Sequence, residues 1–176
     1  MKNLFTTALL SFLLFITCPS LVAGKEGLAS TYLSDQSAVL KSTRTKEVDW
    51  TEEGRFLELL SYLNRQNSPL ADYSWFFIRQ ADFWGVDWRL LPAISGIESS
   101  FGRVMISGSH NAYGWGGGHI EFANWRESID WVNWGLRTGY YDRGLVSPRD
   151  IGPVWAPPST HWGRSVALIM TQISPL

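Results

Sequence analysis

The chain has 176 residues, of which 45% are apolar, 14% are aromatic and 18% are charged, and its formal net charge is −1. This length suits one domain with its own hydrophobic core, and this composition excludes an intrinsically disordered chain. The near-zero net charge argues against a nucleic-acid partner, because such a partner requires a basic surface.

The first 24 residues have the pattern of a secretory signal peptide. Lys2 precedes an apolar run over residues 4–16, and the small residues Ala23 and Gly24 provide a cleavage site. The run is too short to span a membrane comfortably, so we expect no stable span after cleavage and a protein secreted to the cell envelope or beyond. The single cysteine, Cys18, lies in this segment. It is either removed or, on a lipoprotein reading that the preceding residues fit poorly, acylated.

Residues 25–50 have the composition of a flexible linker or arm. Ser, Thr, Lys and Gln dominate there, and no helical or strand period persists. The character changes at residue 51 and stays the same to the C-terminus. We therefore expect one domain over residues 51–176.

The first part of this domain predicts three helices and then a loop. The helices are expected over residues 52–66 with Thr51 as N-cap, over 71–84 closed by Gly85, and over 88–101 with Asp87 as N-cap. Residues 102–122 are rich in Gly, Ser, His and Asn and show no helical period. They predict a long irregular loop or a short hairpin, and loops of this length are usually functional.

The second part is predicted from its capping residues and prolines. We expect a helix over 125–138 capped by Asn124 and Glu127, a short helical turn opened by Ser147 and Pro148, an extended crossing enforced by Pro153, Pro157 and Pro158, and a last helix from Ser159 or Thr160 to Ile173. The predicted fold is thus mainly α, a helical bundle around a cleft with one irregular insert.

Several functional motifs are excluded. The glycine-rich run at residues 114–118 has no Lys-Ser/Thr after it, so it does not predict a phosphate site. His110, His119 and His161 lack the spacing of metal ligands, and no cysteine complements them. We expect neither a metal nor a cofactor.

Glu98 is the residue that chemistry singles out. It lies near the end of an apolar helix, with Ile94, Ile97 and Phe101 three or four residues away. Apolar surroundings and the negative end of a helix both raise a carboxyl pKa, and a protonated carboxyl can serve as a general acid. The pattern alone equally allows a surface glutamate beside Ser99.

Two local motifs sharpen this choice. Residues 93–102 form a helix end of the type Ala-x-x-x-x-Glu-Ser-x-Phe-Gly, and residues 109–114 follow as Ser-x-Asn-x-aromatic-Gly. Together they resemble the lysozyme-like superfamily, most nearly the bacterial peptidoglycan-cleaving glucosaminidases (the mannosyl-glycoprotein endo-β-N-acetylglucosaminidase type) and lytic transglycosylases. Residues 122–128 and 151–158 are also similar to glucosaminidase segments, and the likeness covers residues 69–174.

The resemblance implies roles for particular residues. Glu98 corresponds to the acid that protonates the glycosidic oxygen, and the 109–114 element corresponds to the part that contacts N-acetyl sugars. For substrate binding we nominate Ser109, Asn111, Tyr113, Trp115 and Trp155. Glu121 is the candidate for the second acid that glucosaminidases often carry, or else a structural or exposed residue.

The tryptophans divide by their sequence context. Trp115 stands among glycines that offer it little packing, which favours stacking on a sugar ring. The tryptophans on helical stripes are assigned to the core: Trp75, Trp84, Trp131 and Trp134.

The predicted activity is cleavage of a β-1,4-linked N-acetylhexosamine glycan, most nearly peptidoglycan, by a monomeric glycosidase. With one carboxylate the substrate's N-acetyl group must assist, and either water completes hydrolysis or the sugar's own hydroxyl closes an anhydro ring. Two alternatives remain: a non-catalytic glycan-binding module, and an envelope domain whose exposed tryptophans bind a protein partner.

Overall fold

The computed structural model describes residues 50–175. The predicted signal peptide, Cys18 and all but the last residue of the predicted arm lie outside the described residues. The described part contains these α-helices: α1 (Trp50–Arg65), α2 (Ser74–Trp84), α3 (Leu90–Ser99), α4 (Trp125–Gly139), α5 (Pro148–Trp155) and α6 (Trp162–Ile173). Short 3-10 turns lie at Ala71–Tyr73, Trp115–Gly118 and Tyr141–Arg143.

The prediction of a mainly α fold is confirmed. Residues 50–175 contain no strand, so the hairpin alternative for the insert is not formed. The two ends of the insert are instead joined where the backbone N–H of Phe122 donates to the Ser109 carbonyl at 2.8 Å.

Helix α3 lies at the centre of the packing. It packs against α6, which in turn packs against α5, while α2 packs against α4 and α1. The side chains from Leu90 to Ser95 are all buried, and a fully buried Leu or Ile contributes about 2 kcal/mol of stability. Glu98 is the only charged residue of α3, so the helix carries one carboxylate toward the end of a strongly apolar segment.

The predicted starts of the first and third helices are wrong by a few residues. Helix α1 begins at residue 50, so Thr51 lies inside its first turn and is not the N-cap. Helix α3 begins at Leu90 rather than at 88. The Asp87 carboxylate accepts the Arg89 backbone N–H at 2.9 Å and pairs with the Arg89 guanidinium at 2.7 Å. Asp87 therefore organises the turn before the helix.

Two predicted helix ends agree with the structure. Gly85 ends α2 in the left-handed region, with φ 64°. The side chain of Asn124 accepts the Glu127 backbone N–H at 3.0 Å and caps α4. Residues 71–84, predicted as one helix, are divided into a 3-10 turn and α2.

The proline-rich region differs most from its prediction. Ser147 and Asp150 form a full capping box, and the helix they begin runs for 8 residues rather than one turn. Pro153 lies inside that helix and not in an extended crossing. Its ring is exposed, and near the helix end it removes only one backbone hydrogen bond. The crossing is confined to residues 156–161.

The last helix begins later than predicted. Helix α6 starts at Trp162, and the Ser159 hydroxyl accepts the Trp162 backbone N–H at 3.1 Å from outside the helix. None of the helices in the described part is long and apolar enough to cross a membrane.

Candidate active site

Two glycines let α5 and α6 approach closely. A Cβ on Gly163 would lie 2.5 Å from the Pro148 carbonyl oxygen, and one on Gly152 would lie 3.3 Å from the backbone nitrogen of Gly163. Any larger residue at position 163 would force the helices apart. This close contact brings together Trp155, the last residue of α5, and Trp162, the first residue of α6. Their rings stack with centroids 5.7 Å apart and an interplanar angle of 27°.

Both indoles donate their N–H groups to the same carboxylate oxygen. The distance to Oε1 of Glu98 is 2.8 Å from Nε1 of Trp162 and 3.2 Å from Nε1 of Trp155. Trp162 is only 5% exposed, and a buried indole N–H requires an acceptor. The packing of α3 on α6 supplies that acceptor from the end of α3.

The second carboxylate oxygen lies against the backbone of the insert. Gly114 has φ 65°, and a Cβ built there would lie 2.9 Å from Oε2 of Glu98. Glycine is therefore required at this position both by the backbone and by the carboxylate. Within residues 50–175 no N–H or O–H group donates to Oε2. Oε2 is thus the oxygen left available for a ligand.

Ser99 ties the end of α3 to the insert. Its buried hydroxyl donates to the Ala112 carbonyl at 2.7 Å and accepts the Gly102 backbone N–H at 2.8 Å. These two bonds hold both sides of the insert to the helix turn that carries Glu98. The two neighbouring residues therefore have different roles. Glu98 contacts the indole rings, and Ser99 holds the loop to the helix.

The environment raises the pKa of the Glu98 carboxyl. Desolvation is the largest cause, and the N–H groups of Trp162 and then Trp155 act in the opposite direction because they favour the ionised form. Glu98 as a whole residue is nevertheless exposed to solvent. The carboxyl is thus partly desolvated by the indoles and still reachable from outside, which is the environment that a general acid needs.

Trp155 lies at the centre of an aromatic cluster that also contains Trp115, Tyr140 and Trp162. The Trp155 ring centroid lies 5.5 Å from that of Trp115 and 5.7 Å from that of Tyr140. The Trp115 ring rests on Gly135 of α4, where a Cβ would lie 2.5 Å from the ring. The structure therefore brings the predicted residues Glu98, Trp115 and Trp155 together. Trp115 and Trp155 remain half-buried.

The prediction that Asn111 contacts a ligand through its side chain is corrected. Its amide nitrogen donates to the carbonyls of Trp115 at 2.8 Å and Ile120 at 2.9 Å, and its amide oxygen accepts the Trp115 N–H at 3.0 Å. Asn111 is only 4% exposed. Its donors and acceptor are occupied by the loop backbone, so its role is to fold the turn that carries Trp115.

Ser109 and Tyr113 are corrected in the same way. The Ser109 hydroxyl is buried and accepts the Asn111 backbone N–H at 3.3 Å. Tyr113 is fully buried, with its ring packed edge-on against Phe77 at 6.5 Å, and burial raises its pKa. Both side chains lie in the interior of the molecule and support the insert from within.

Glu121 lies in the insert, and its side chain is exposed to solvent. Residues 50–175 hold no group of three or more His, Cys, Asp or Glu side chains arranged to bind a metal ion. Glu98 is the carboxylate that the two indole N–H groups contact.

The assignment of four tryptophans to the core holds in part. Trp84 and Trp131 are half-buried and pack against the core. Trp75 is 40% exposed and packs edge-on against Phe56, so its core assignment is wrong. Trp134 is half-buried and meets the edge of Trp131 at 5.3 Å.

Two residues of the site escape a reading of the sequence: Tyr140 and Trp162. Trp162 follows a proline-rich segment at the start of a helix, where its ring has the same pattern as a core residue. The one available signal is chemical, since an acid inside an apolar helix needs a donor and indole N–H groups need an acceptor. That complementarity does not say which of ten tryptophans supplies the donor.

No family model matches this chain, and a search of curated proteins finds no match to its sequence. The functional interpretation therefore depends on the motifs and on the geometry of the Glu98 site.

Proposed function

We propose that the protein is a glycoside-cleaving enzyme in which Glu98 is the general acid, acting on a β-1,4-linked N-acetylhexosamine glycan such as peptidoglycan in the cell envelope. The observation that carries the proposal is the state of the Glu98 carboxyl. Burial raises its pKa, two indoles hold one oxygen, and the other oxygen is left without a donor among residues 50–175.

The surrounding rings support a sugar ligand. Trp115 and Trp155 are half-buried beside Glu98, and aromatic faces next to a polar group bind the apolar face of a pyranose ring while hydroxyl groups remain hydrated. The combination of a carboxyl with a raised pKa and stacked rings favours cleavage of a glycosidic bond over a reaction on a charged or metal-bound substrate.

The cleavage step needs one proton. Protonated Glu98 donates to the glycosidic oxygen as the bond from that oxygen to the anomeric carbon breaks, and the leaving sugar departs with the proton. Glu98 becomes a carboxylate, and the N–H groups of Trp162 and Trp155 stabilise its new charge on Oε1. Glu98 then takes a proton from water or from a sugar hydroxyl as that oxygen attacks the anomeric carbon.

The second half of the reaction requires help from the substrate. We propose that Glu98 acts without a second protein carboxylate as nucleophile, since Glu121 is an exposed residue of the insert. The N-acetyl group of the sugar then shields the developing cation. Attack by water gives a reducing end, and attack by the sugar's own hydroxyl gives an anhydro end.

Mass analysis of fragments released from purified peptidoglycan tests this proposal. We expect the parent protein to release soluble fragments and Glu98→Gln, which keeps the shape of the side chain, to release none while remaining folded. The fragment masses distinguish water addition from an anhydro end. Retained binding of the glycan with no release by either protein, across several wall types, would instead support a non-catalytic binding module.

A further inference from the structure

We propose that the indoles of Trp162 and Trp155 form a clamp on Oε1 of Glu98 that keeps the transferable proton on Oε2, the oxygen beside Gly114. The clamp consists of the two N–H groups that meet at Oε1, at 2.8 and 3.2 Å. Trp162 and Trp155 are thereby positioning residues that act through Glu98. The use of the proton in glycan cleavage rests on the proposed function, whereas the clamp itself does not.

The two indole N–H groups use the lone pairs of Glu98 Oε1. A carboxyl oxygen has two lone-pair positions in the plane of the group, and the two indole N–H groups occupy those of Oε1. A proton placed on Oε1 would face an N–H group and lose one of these bonds. The protonated carboxyl therefore carries its proton on Oε2.

Ring contacts hold the two indoles of the clamp in place. The Trp155 and Trp162 rings stack on each other, and Trp155 is also held by Trp115 and Tyr140. Oε2 lies so close to Gly114 that a Cβ there would be 2.9 Å from it. Exchange of the two oxygens by rotation about the last side-chain bond would break both indole bonds at once. The direction of the acid is therefore fixed before a ligand binds.

The pKa of the Glu98 carboxyl is set by burial and by the two indoles. Several charged or titratable side chains lie in the turn before α3, in the insert, in α5 and around the start of α6: Arg89, Arg103, His110, Tyr113, His119, Glu121, Arg149, Asp150, His161 and Arg164. The causes of the raised pKa are none of these but burial, opposed by Trp162 and Trp155. The state of the carboxyl is thus coupled to the two indoles.

A titration of the indole N–H signals by NMR tests the clamp without any activity assay. In the ¹⁵N-labelled parent we expect the Nε1 signals of Trp162 and Trp155 to shift together with pH, and in Glu98→Gln to be independent of pH. In Trp162→Phe the Trp155 signal should titrate with a midpoint at higher pH, because a donor that favours the ionised form has been removed. Indole signals of the parent that do not change with pH would overturn the proposal.

Trp84→Phe is the matched control. Trp84 donates its indole N–H to another carboxylate, Oδ1 of Asp130, at 2.9 Å, so its loss removes the same type of bond from a different place. We expect it to leave the titration of the Trp162 signal unchanged. An equal shift of that midpoint in Trp84→Phe and Trp162→Phe would mean that the clamp is not specific to Glu98.

Activity then separates the clamp from the proposed function. On a soluble β-1,4-linked N-acetylglucosamine oligomer, Trp162→Phe should lower kcat on the order of tenfold with little change in KM, and should move the alkaline limb of the pH profile upward. Titrating indoles in a protein that cleaves no glycan would leave the clamp standing and reject the proposed function. Cleavage that requires Glu98, with indole signals that do not change with pH, would support the proposed function and reject the clamp.

Discussion

The insert at residues 109–115 and the segment at residues 155–162 both lie at the Glu98 site, and they contribute to it in different ways. In the insert the side chains of Ser109 and Asn111 are buried. The Asn111 amide forms its hydrogen bonds with backbone groups of Trp115 and Ile120. In the second segment the only polar groups that reach Glu98 belong to aromatic side chains, Trp155 and Trp162.

The comparison shows that a polar motif can be a structural frame while an apolar segment supplies the functional donors. Asn111 is buried and saturated, so its effect on a ligand is exerted through the position of Trp115. Trp162 is equally buried, yet its one polar atom contacts the carboxyl. Each of the following predictions perturbs one side of this comparison.

The largest expected effect comes from Gly114→Ala, which disturbs the close approach of the insert to Glu98. The new Cβ would lie 2.9 Å from Oε2, and displacement of a reactive group by a fraction of an ångström to an ångström costs up to about a hundredfold in rate. Gly118→Ala is the control, because Gly118 also has positive φ, 81°, but has nothing within 4 Å of its Cβ position. Equal losses of glycan release in both variants would point to backbone strain alone.

Removal of the Asn111 side chain, which holds the insert together, should lower the stability of the protein. We expect Asn111→Ala to lower the free energy of unfolding by about 2 kcal/mol, because it leaves the buried backbone groups of Trp115 and Ile120 without partners. Asn64→Ala, at an exposed position of α1, should change the free energy by less than about 0.5 kcal/mol. Denaturant unfolding of both variants checks this, and a stable Asn111→Ala protein would argue against the role of Asn111 in folding the insert.

The pH dependence of activity tests the Glu98 carboxyl and its surroundings. Because Glu98 must be protonated to donate, and because burial raises its pKa, glycan release should persist above the usual pH range of a glutamic acid and then fall about tenfold per pH unit. An activity that falls within the ordinary glutamate range would show that burial does not keep the Glu98 carboxyl protonated. Rates measured across pH on a soluble oligomer decide between the two.

The smallest expected effect concerns Asp130, a carboxyl that is buried away from Glu98 and near Trp84. Desolvation raises its pKa from 3.8 to about 7, so the folded protein binds more protons than the unfolded chain between those values. Stability should therefore decrease as the pH rises from about 4 to about 7 and level off above.

Asp130→Asn should remove this decrease. We expect a difference on the order of 1 kcal/mol between parent and variant in the change of unfolding free energy from pH 5 to pH 8, reduced from the full shift because the Trp84 N–H stabilises the carboxylate. Asp72→Asn, at an exposed position, serves as the control and should follow the parent. Parallel curves for the parent and Asp130→Asn would contradict the raised pKa.

Local rules predicted much of the fold. Helical periods and caps located the helices, and Asn124, Gly85 and Ser147 mark helix ends as predicted. The errors arose where tertiary packing overrides local preference. Pro153 is accommodated near the exposed end of α5, and Trp162 rather than Ser159 begins α6.

The candidate site was predicted in part for the same reason. Glu98 is conspicuous because it is the only charge in an apolar helix, and Trp115 because glycines flank it. The partner Trp162 lies 64 residues from Glu98 along the chain, and no local pattern encodes that pairing. Likewise, whether Asn111 faces a ligand or its own loop depends on the path of the backbone between residues 111 and 120, which side-chain types alone do not determine.

The most direct test of the account compares the two candidate acids in one assay. Soluble fragments released from purified peptidoglycan are measured for the parent, Glu98→Gln and Glu121→Gln, with the folding of each checked by thermal unfolding. We predict that Glu98→Gln abolishes release and that Glu121→Gln, at an exposed side chain, keeps it within about twofold of the parent. Full release by Glu98→Gln, or its loss only in Glu121→Gln, would contradict the assignment of Glu98 as the acid.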